Sequence, residues 1–74
     1  TDELPFDRKR LRALVRRRGI GRLEIKVRGV EGHPDQIRRE LHLQGSDEAV
    51  LLVARAGRRV MAILARRIKP RAGA

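Results

Sequence analysis

Several residue types are absent or scarce in this 74-residue sequence. It contains no cysteine, which excludes disulfides and thiolate metal sites, and its single aromatic residue is Phe6. No apolar run approaches the roughly 20 residues that a membrane-spanning helix needs. A chain this short buries only roughly 60% of its unfolded surface, so its core is small. These absences favour one small domain that neither crosses a membrane nor holds a metal.

Arginine, by contrast, is abundant. The sequence has 19 Lys and Arg against 9 Asp and Glu, a formal net charge of +10. The electrostatic field of such a positive charge attracts polyanions, and a guanidinium group can donate two hydrogen bonds to one phosphate. The alternative is that these arginines only form ordinary solvated surface. Nucleic acid is favoured over an acidic membrane surface, because no segment pairs an apolar face with interfacial aromatic residues.

A first helix is predicted over residues 7–18. Apolar residues recur from Leu11 to Val15 at the spacing of one helix face. Asp7 is a good N-cap, and Gly19 suits the left-handed residue that closes a helix. The N-cap, the apolar stripe and the closing glycine therefore all predict the same helix.

The remaining sequence predicts a strand, a second helix and a hairpin. Residues 22–28 alternate between apolar and charged, as in a strand with one wet face. Pro34 fits the first turn of a helix that ends before Gly45. Two apolar runs, residues 49–54 and 60–65, then predict the hairpin. The expected fold is α+β with the order α-β-α-β-β. It is a three-stranded mixed sheet with two helices packed on one face, and the sequence does not fix the order of the strands in the sheet.

We expect a single domain over residues 1–74, with an ordered core at about residues 4–67 and a basic tail at residues 68–74. Both sides of the hairpin strands are apolar, and two short helices can cover only one face of the sheet. The second face should therefore dock on another domain of a parent chain or on a second copy, unless a tail or loop covers it. The residues assigned to this docking surface are Leu51, Val53, Met61 and Ile63.

No catalytic or metal-binding constellation is visible. His33 and His42 have no serine, cysteine or paired carboxylate beside them, so neither is expected to bind a metal. The Gly-Ile-Gly sequence at residues 19–21 follows a helix, which is the wrong context for a dinucleotide-binding loop. Residues 29–32 have the GxxG form of an RNA-clamping loop, but Glu31 would repel an anion, so a plain turn is favoured.

The basic residues fall into three rows, on the first helix, the second helix and the polar side of the first strand. Three rows with few acids favour phosphate contact by at least one of them. The scarcity of aromatic residues argues against stacking on single strands and favours folded RNA recognised by shape and backbone charge. Sequence-specific DNA binding ranks lower without a helix-turn-helix pair. The residues assigned to RNA phosphates are Lys9, Arg12, Arg16, Arg17, Arg22, Lys26, Arg28, Arg38 and Arg39.

Part of the sequence resembles a known family. The residues that carry the resemblance are Leu11, Arg12, Arg18-Gly19-Ile20-Gly21-Arg22-Leu23-Glu24-Ile25-Lys26, Arg28-Gly29-Val30, Pro34, Leu41, Leu43 and Gly45. They resemble the THUMP-like domain, the C-terminal domain of bacterial, typically actinobacterial, class I S-adenosylmethionine-dependent methyltransferases. The resemblance covers residues 4–67. One departure is Gly32-His33 before Pro34, where the family's pattern has an acidic helix cap.

The resemblance implies a non-catalytic accessory domain of a cytoplasmic RNA methyltransferase. Enzyme activity and S-adenosylmethionine would belong to an N-terminal domain outside this chain, and this domain would hold no cofactor. Its expected role is to bind structured RNA, tRNA or rRNA, and present it to the catalytic domain. Two alternatives stay open. One is a structural domain that stabilises the methyltransferase domain or mediates dimerisation without binding RNA, and the other is a free-standing basic module.

Overall fold

A computed structural model describes residues 2–66 of the chain. The elements, in chain order, are β1 (Asp2–Pro5), α1 (Arg8–Arg17), β2 (Ile20–Arg28), α2 (Pro34–Leu41), β3 (Asp47–Ala56) and β4 (Arg59–Arg66). The tail assigned to residues 68–74 lies outside the described residues. Within residues 2–66, no helix has the length and apolar character needed to cross a membrane.

Helix α1 forms where its cap, stripe and stop predict it. The Asp7 Oδ1 atom accepts hydrogen bonds from the backbone N–H groups of Lys9 at 2.9 Å and Arg10 at 3.3 Å. The apolar stripe is buried, with Leu11 0% exposed. Gly19 ends the helix with a left-handed φ of 67°, as predicted. Local sequence therefore specifies both ends of α1.

Helix α2 has weaker ends than α1. Pro34 occupies its first turn, and Ile37 and Leu41 are buried, as the sequence predicts. His33 stands at the N-cap, but its side chain makes no capping hydrogen bond. At the other end His42 takes a left-handed φ of 51°, which is strained for any residue other than glycine. This helix is therefore held mainly by burial of its apolar side.

The sheet has four strands in the order β1-β4-β3-β2. β2 and β3 are parallel and β3 and β4 antiparallel, as predicted. The prediction of three strands is wrong, although the α+β class is right, because β1 pairs antiparallel with β4. β1 escaped sequence reasoning because it has only four residues, including two acids and a proline, and its partner strand lies at the far end of the chain. Pro5 is tolerated there because β1 is an edge strand.

One face of the sheet packs against both helices. Side chains alternate between the two faces of a strand, and in β3 Leu51 and Val53 face the helices, at 0% and 1% exposed. From β4, Ala62 and Leu64 join the same core cluster. The core also contains the buried residues of α1 and α2, so it lies between the sheet and the helices.

The other face of the sheet has no helix on it. We call it the open face, and its apolar residues are Val50, Leu52, Ala54, Met61, Ile63 and Ala65. The four residues assigned to docking do not share a face. Met61 and Ile63 lie on the open face, whereas Leu51 and Val53 lie in the core. Both sides of β3 are apolar, so its sequence alone does not show which side the helices cover.

Two glycines, Gly21 and Gly45, allow β2 and β3 to begin side by side. A Cβ atom on Gly21 would overlap the carbonyl group of Gly45, and one on Gly45 would overlap the carbonyl group of Gly19. Gly45 also has a φ of 141°, which disfavours other residues. The backbone N–H of Asp47 donates to the carbonyl of Gly19 at 3.0 Å. This glycine crossing brings the starts of the two parallel strands together.

We expect Gly21→Ala to destabilise the domain by about 1–3 kcal/mol, because the added methyl group has no room beside Gly45. Gly32→Ala is the matched control, since no atom lies within 4 Å of the Cβ position there and neither glycine has a positive φ. Urea unfolding followed by circular dichroism measures both variants. Equal loss of stability in the two would show that the crossing is not tight.

His33→Asp should stabilise the domain by about 0.5–2 kcal/mol, because a carboxylate at the N-cap accepts a backbone N–H of the first turn of α2. His33→Ala, which supplies no acceptor, should leave stability close to that of the unchanged chain. Thermal unfolding of the three proteins tests this. A stability gain shared by the alanine variant would mean that removal of the imidazole, rather than capping, is responsible.

Candidate nucleic-acid interface

Helix α1 carries six cations and no acid. Three of the cations, Arg8, Lys9 and Arg10, occupy its first turn. The helix dipole is positive at this end, and each cation there is unfavourable by roughly 0.3–1 kcal/mol. The dipole therefore does not explain the basic first turn, although it favours Arg16 and Arg17 in the last turn, and a role on the surface of α1 has to be considered.

Three cations of α1 are unengaged. Lys9, Arg16 and Arg17 are exposed, and within residues 2–66 their side chains make no hydrogen bond or ion pair. We call these three the α1 cations. Lys9 and Arg16 are seven residues apart, which places them on the same side of the helix about 10 Å apart along its axis. A phosphate backbone can approach this side without first breaking a contact within the described part of the domain.

Arg12, by contrast, is a contact between the two helices. Its Nε and Nη2 atoms donate to the carbonyl oxygen of Glu40 at 3.1 and 2.9 Å. That carbonyl lies in the last turn of α2, where no helical N–H follows to bind it. The carboxylate of Glu40 pairs with Arg8. Arg12 was assigned to RNA phosphates, and the structure gives it a bond that holds α1 and α2 together.

Arg38 is engaged in a similar way. Its Nη1 atom donates to the Oδ1 atom of Asp35 at 2.9 Å, and its Nη2 atom donates to the carbonyl oxygen of Leu23 at 3.1 Å. The second bond joins α2 to β2. The neighbouring Arg39 is exposed and has no side-chain partner within residues 2–66. Of Arg38 and Arg39, only Arg39 resembles the α1 cations in having no side-chain partner within residues 2–66.

The basic row of β2 lies on the opposite side of the domain. Arg22, Lys26 and Arg28 alternate with the buried residues of β2 and so belong to the open face. Arg22 pairs with Glu48 at 3.5 Å but is 81% exposed, so this pair contributes little to stability. The structure therefore separates the assigned phosphate contacts into a helical group and a sheet group.

Two exposed cations were missed by the sequence reasoning. Arg58 and Arg59, at the turn between β3 and β4, have no side-chain partner within the described residues. Their position beside Gly57 in a hairpin turn was the available signal. At the other end of the sheet the arginines are paired: Arg18 with Asp2 at 3.1 Å and Arg66 with Asp47 at 2.8 Å.

The candidate nucleotide and metal motifs do not form sites in the part of the chain that the structure describes. No group of three His, Asp or Glu side chains converges within residues 2–66. Gly21 and the carbonyl group of Gly19 lie directly against the backbone of Gly45. In the loop of residues 29–32, the carbonyl oxygen of Gly29 accepts a hydrogen bond from the Nε atom of Arg55 at 3.2 Å. Close backbone packing accounts for Gly21, and the left-handed φ that ends α1 accounts for Gly19.

Comparisons with known proteins agree with the resemblance seen in the sequence. Two uncharacterised S-adenosylmethionine-dependent methyltransferases of Mycobacterium tuberculosis, from strains CDC 1551 and H37Rv, are each 41% identical over 56 residues. That match covers 76% of this chain but only 16% of each relative. No solved structure matches the chain significantly. The family model described as THUMP domain-like matches residues 1–67, and the chain therefore belongs to the THUMP domain-like family.

Proposed function

We propose that this chain is the accessory domain of a cytoplasmic S-adenosylmethionine-dependent RNA methyltransferase. In this proposal the domain binds structured RNA, tRNA or rRNA, by its backbone and presents it to the catalytic domain. The methyl donor binds in that other domain and supplies the transferred group. The described residues perform no chemistry and serve only to bind and position the RNA.

The α1 cations are the observation that supports RNA binding. The other arginines in the helices, apart from Arg39, contact carbonyl groups or carboxylates, as Arg12 and Arg38 do. Lys9, Arg16 and Arg17 are left exposed on a helix without acids. Guanidinium and ammonium groups in this state release counterions when they meet phosphates, which drives binding without base contacts. With a single aromatic residue, the chain has little to stack on bases, which favours helical over single-stranded RNA.

The methyltransferase part of the proposal rests on the relatives. Both are named as S-adenosylmethionine-dependent methyltransferases, and the match covers a small part of their length. A catalytic domain has ample room in the rest of such a chain. A purely structural role, without RNA, is the competing function and is separated from this one by the binding experiments below.

Titration of the chain with tRNA and with duplex RNA across a salt series should show binding that weakens steeply as salt rises. Contacts to four to six phosphates give a log–log slope on the order of −3 to −5. Fluorescence anisotropy of labelled RNA measures this slope. Binding that is absent at low salt, or that does not change with salt, would contradict the proposal and favour the structural role.

Arg16→Glu combined with Arg17→Glu should weaken RNA binding by tenfold or more at about 0.1 M salt, because the change removes two phosphate contacts and adds repulsion. The loss should be the same for different RNA sequences. These two positions are preferred to Arg12, whose replacement would also release α2.

Arg58→Glu combined with Arg59→Glu is the matched control. It changes the net charge by the same amount at exposed positions that also lack side-chain partners in the described part of the chain. We expect a clearly smaller loss of affinity, since these residues lie at the hairpin turn and away from the C-terminal end of α1. Equal losses in the two double variants would show that the overall field, and not α1, binds the RNA.

A further inference from the structure

The open face is an apolar surface that RNA binding does not use. Its six apolar side chains come from the two central strands, and pairs such as Leu52 with Ile63 and Ala54 with Met61 lie directly opposite each other. None of the six belongs to the fully buried core, and each retains partial exposure. A contiguous apolar surface of this kind usually marks a contact with another protein surface.

The charges around the open face are unevenly distributed. At the hairpin end, Lys26 and Arg28 flank Leu52 and Ala54 in the strand register, and Arg59 pairs with Ala56. Of the acids on this face, Glu24 and Glu48 lie towards the other end, near Val50, and Glu3 of β1 lies beside Ile63. A partner that covers the face therefore needs an apolar centre and acidic residues opposite the hairpin end.

A second copy of this chain fits these requirements poorly. Each copy carries a net charge of +10, and self-repulsion opposes bringing two such charges together at ordinary ionic strength. An attached catalytic domain fits better. In the relatives, most of the chain lies outside the matched region, and a tethered partner acts at an effective concentration on the order of millimolar. Even a small apolar patch is then covered.

We propose that the open face docks on an apolar, acid-bordered surface of the methyltransferase domain in the same longer chain. The inference depends on the accessory-domain part of the proposed function but not on RNA binding. Docking through the sheet leaves the α1 cations on the opposite side, facing away from the joint. The two faces would then bind different partners: the sheet would contact the methyltransferase domain, and the helices would contact the RNA.

Single cysteines test this docking, because the chain has none of its own. Ala54→Cys places a thiol on the open face, and Ala13→Cys places one on the exposed side of α1 as a matched control. Both are made in the 74-residue chain and in the longer parent chain. Maleimide labelling is followed by mass spectrometry of the peptide that contains the new cysteine.

In the parent chain, labelling at position 54 should slow about tenfold or more if the docked state exceeds roughly 90%. Labelling at position 13 should stay the same in both chains. Adding Ile63→Lys to the parent chain should restore the rate at position 54, because it places a charge in the apolar contact. Circular dichroism checks that each variant is folded.

Three results would overturn the docking proposal. Equal rates at position 54 in the two chains, unchanged by deletion of residues 67–74, would mean that the face is free. Slowing in the 74-residue chain that grows with concentration, together with a dimer mass by light scattering, would mean that a second copy covers it. In the 74-residue chain, slow labelling that does not depend on concentration and becomes faster when residues 67–74 are deleted would assign the face to those residues. In each case the RNA titrations still decide the proposed function separately.

Discussion

Where β2 and β3 begin, the backbones of Gly21 and Gly45 run so close together that neither position has room for a side chain. The parallel pairing of these strands starts at this crossing, and its register places Ile25 beside Leu51 and Val27 beside Val53. That register turns one apolar side of β3 towards the helices and leaves Val50 and Leu52 on the open face. The core, the open face and the position of α1 all depend on this close approach of two backbones.

The arginines serve two different purposes. Arg12 and Arg38 donate to backbone carbonyl groups of neighbouring elements, and so satisfy acceptors that a small domain would otherwise leave without a protein partner. Lys9, Arg16 and Arg17 make no side-chain contact of this kind within residues 2–66 and are available to a ligand from outside. A high arginine content by itself does not separate these purposes. The hydrogen bonds do, and they set the α1 cations and Arg39 apart from the arginines that are engaged within the described residues.

The fold presents opposite chemistry on its two sides. The helical side is charged and has the α1 cations, while the centre of the sheet side is apolar and bordered by charge at one end. RNA binding alone gives no use for an apolar sheet face, and docking through the sheet alone gives no use for the exposed α1 cations. Membership of the THUMP domain-like family, together with methyltransferase relatives six times as long as the match, is consistent with both sides being used.

The helices, the hairpin and the parallel β2–β3 pair followed from the sequence, because each depends on a local pattern: the caps and stripe of α1, the alternation of β2, the turn at Gly57. Tertiary structure decided the rest. β1 is too short to show a periodic pattern, and it forms only because its backbone can pair with β4. The side of β3 that faces the core is invisible in a run such as Val50 to Val53, which is apolar on both sides. Which arginines are engaged depends on carbonyl groups brought near by packing, since Glu40 is 28 residues from Arg12. Local periodicity records what one segment prefers, whereas these contacts join segments distant in sequence.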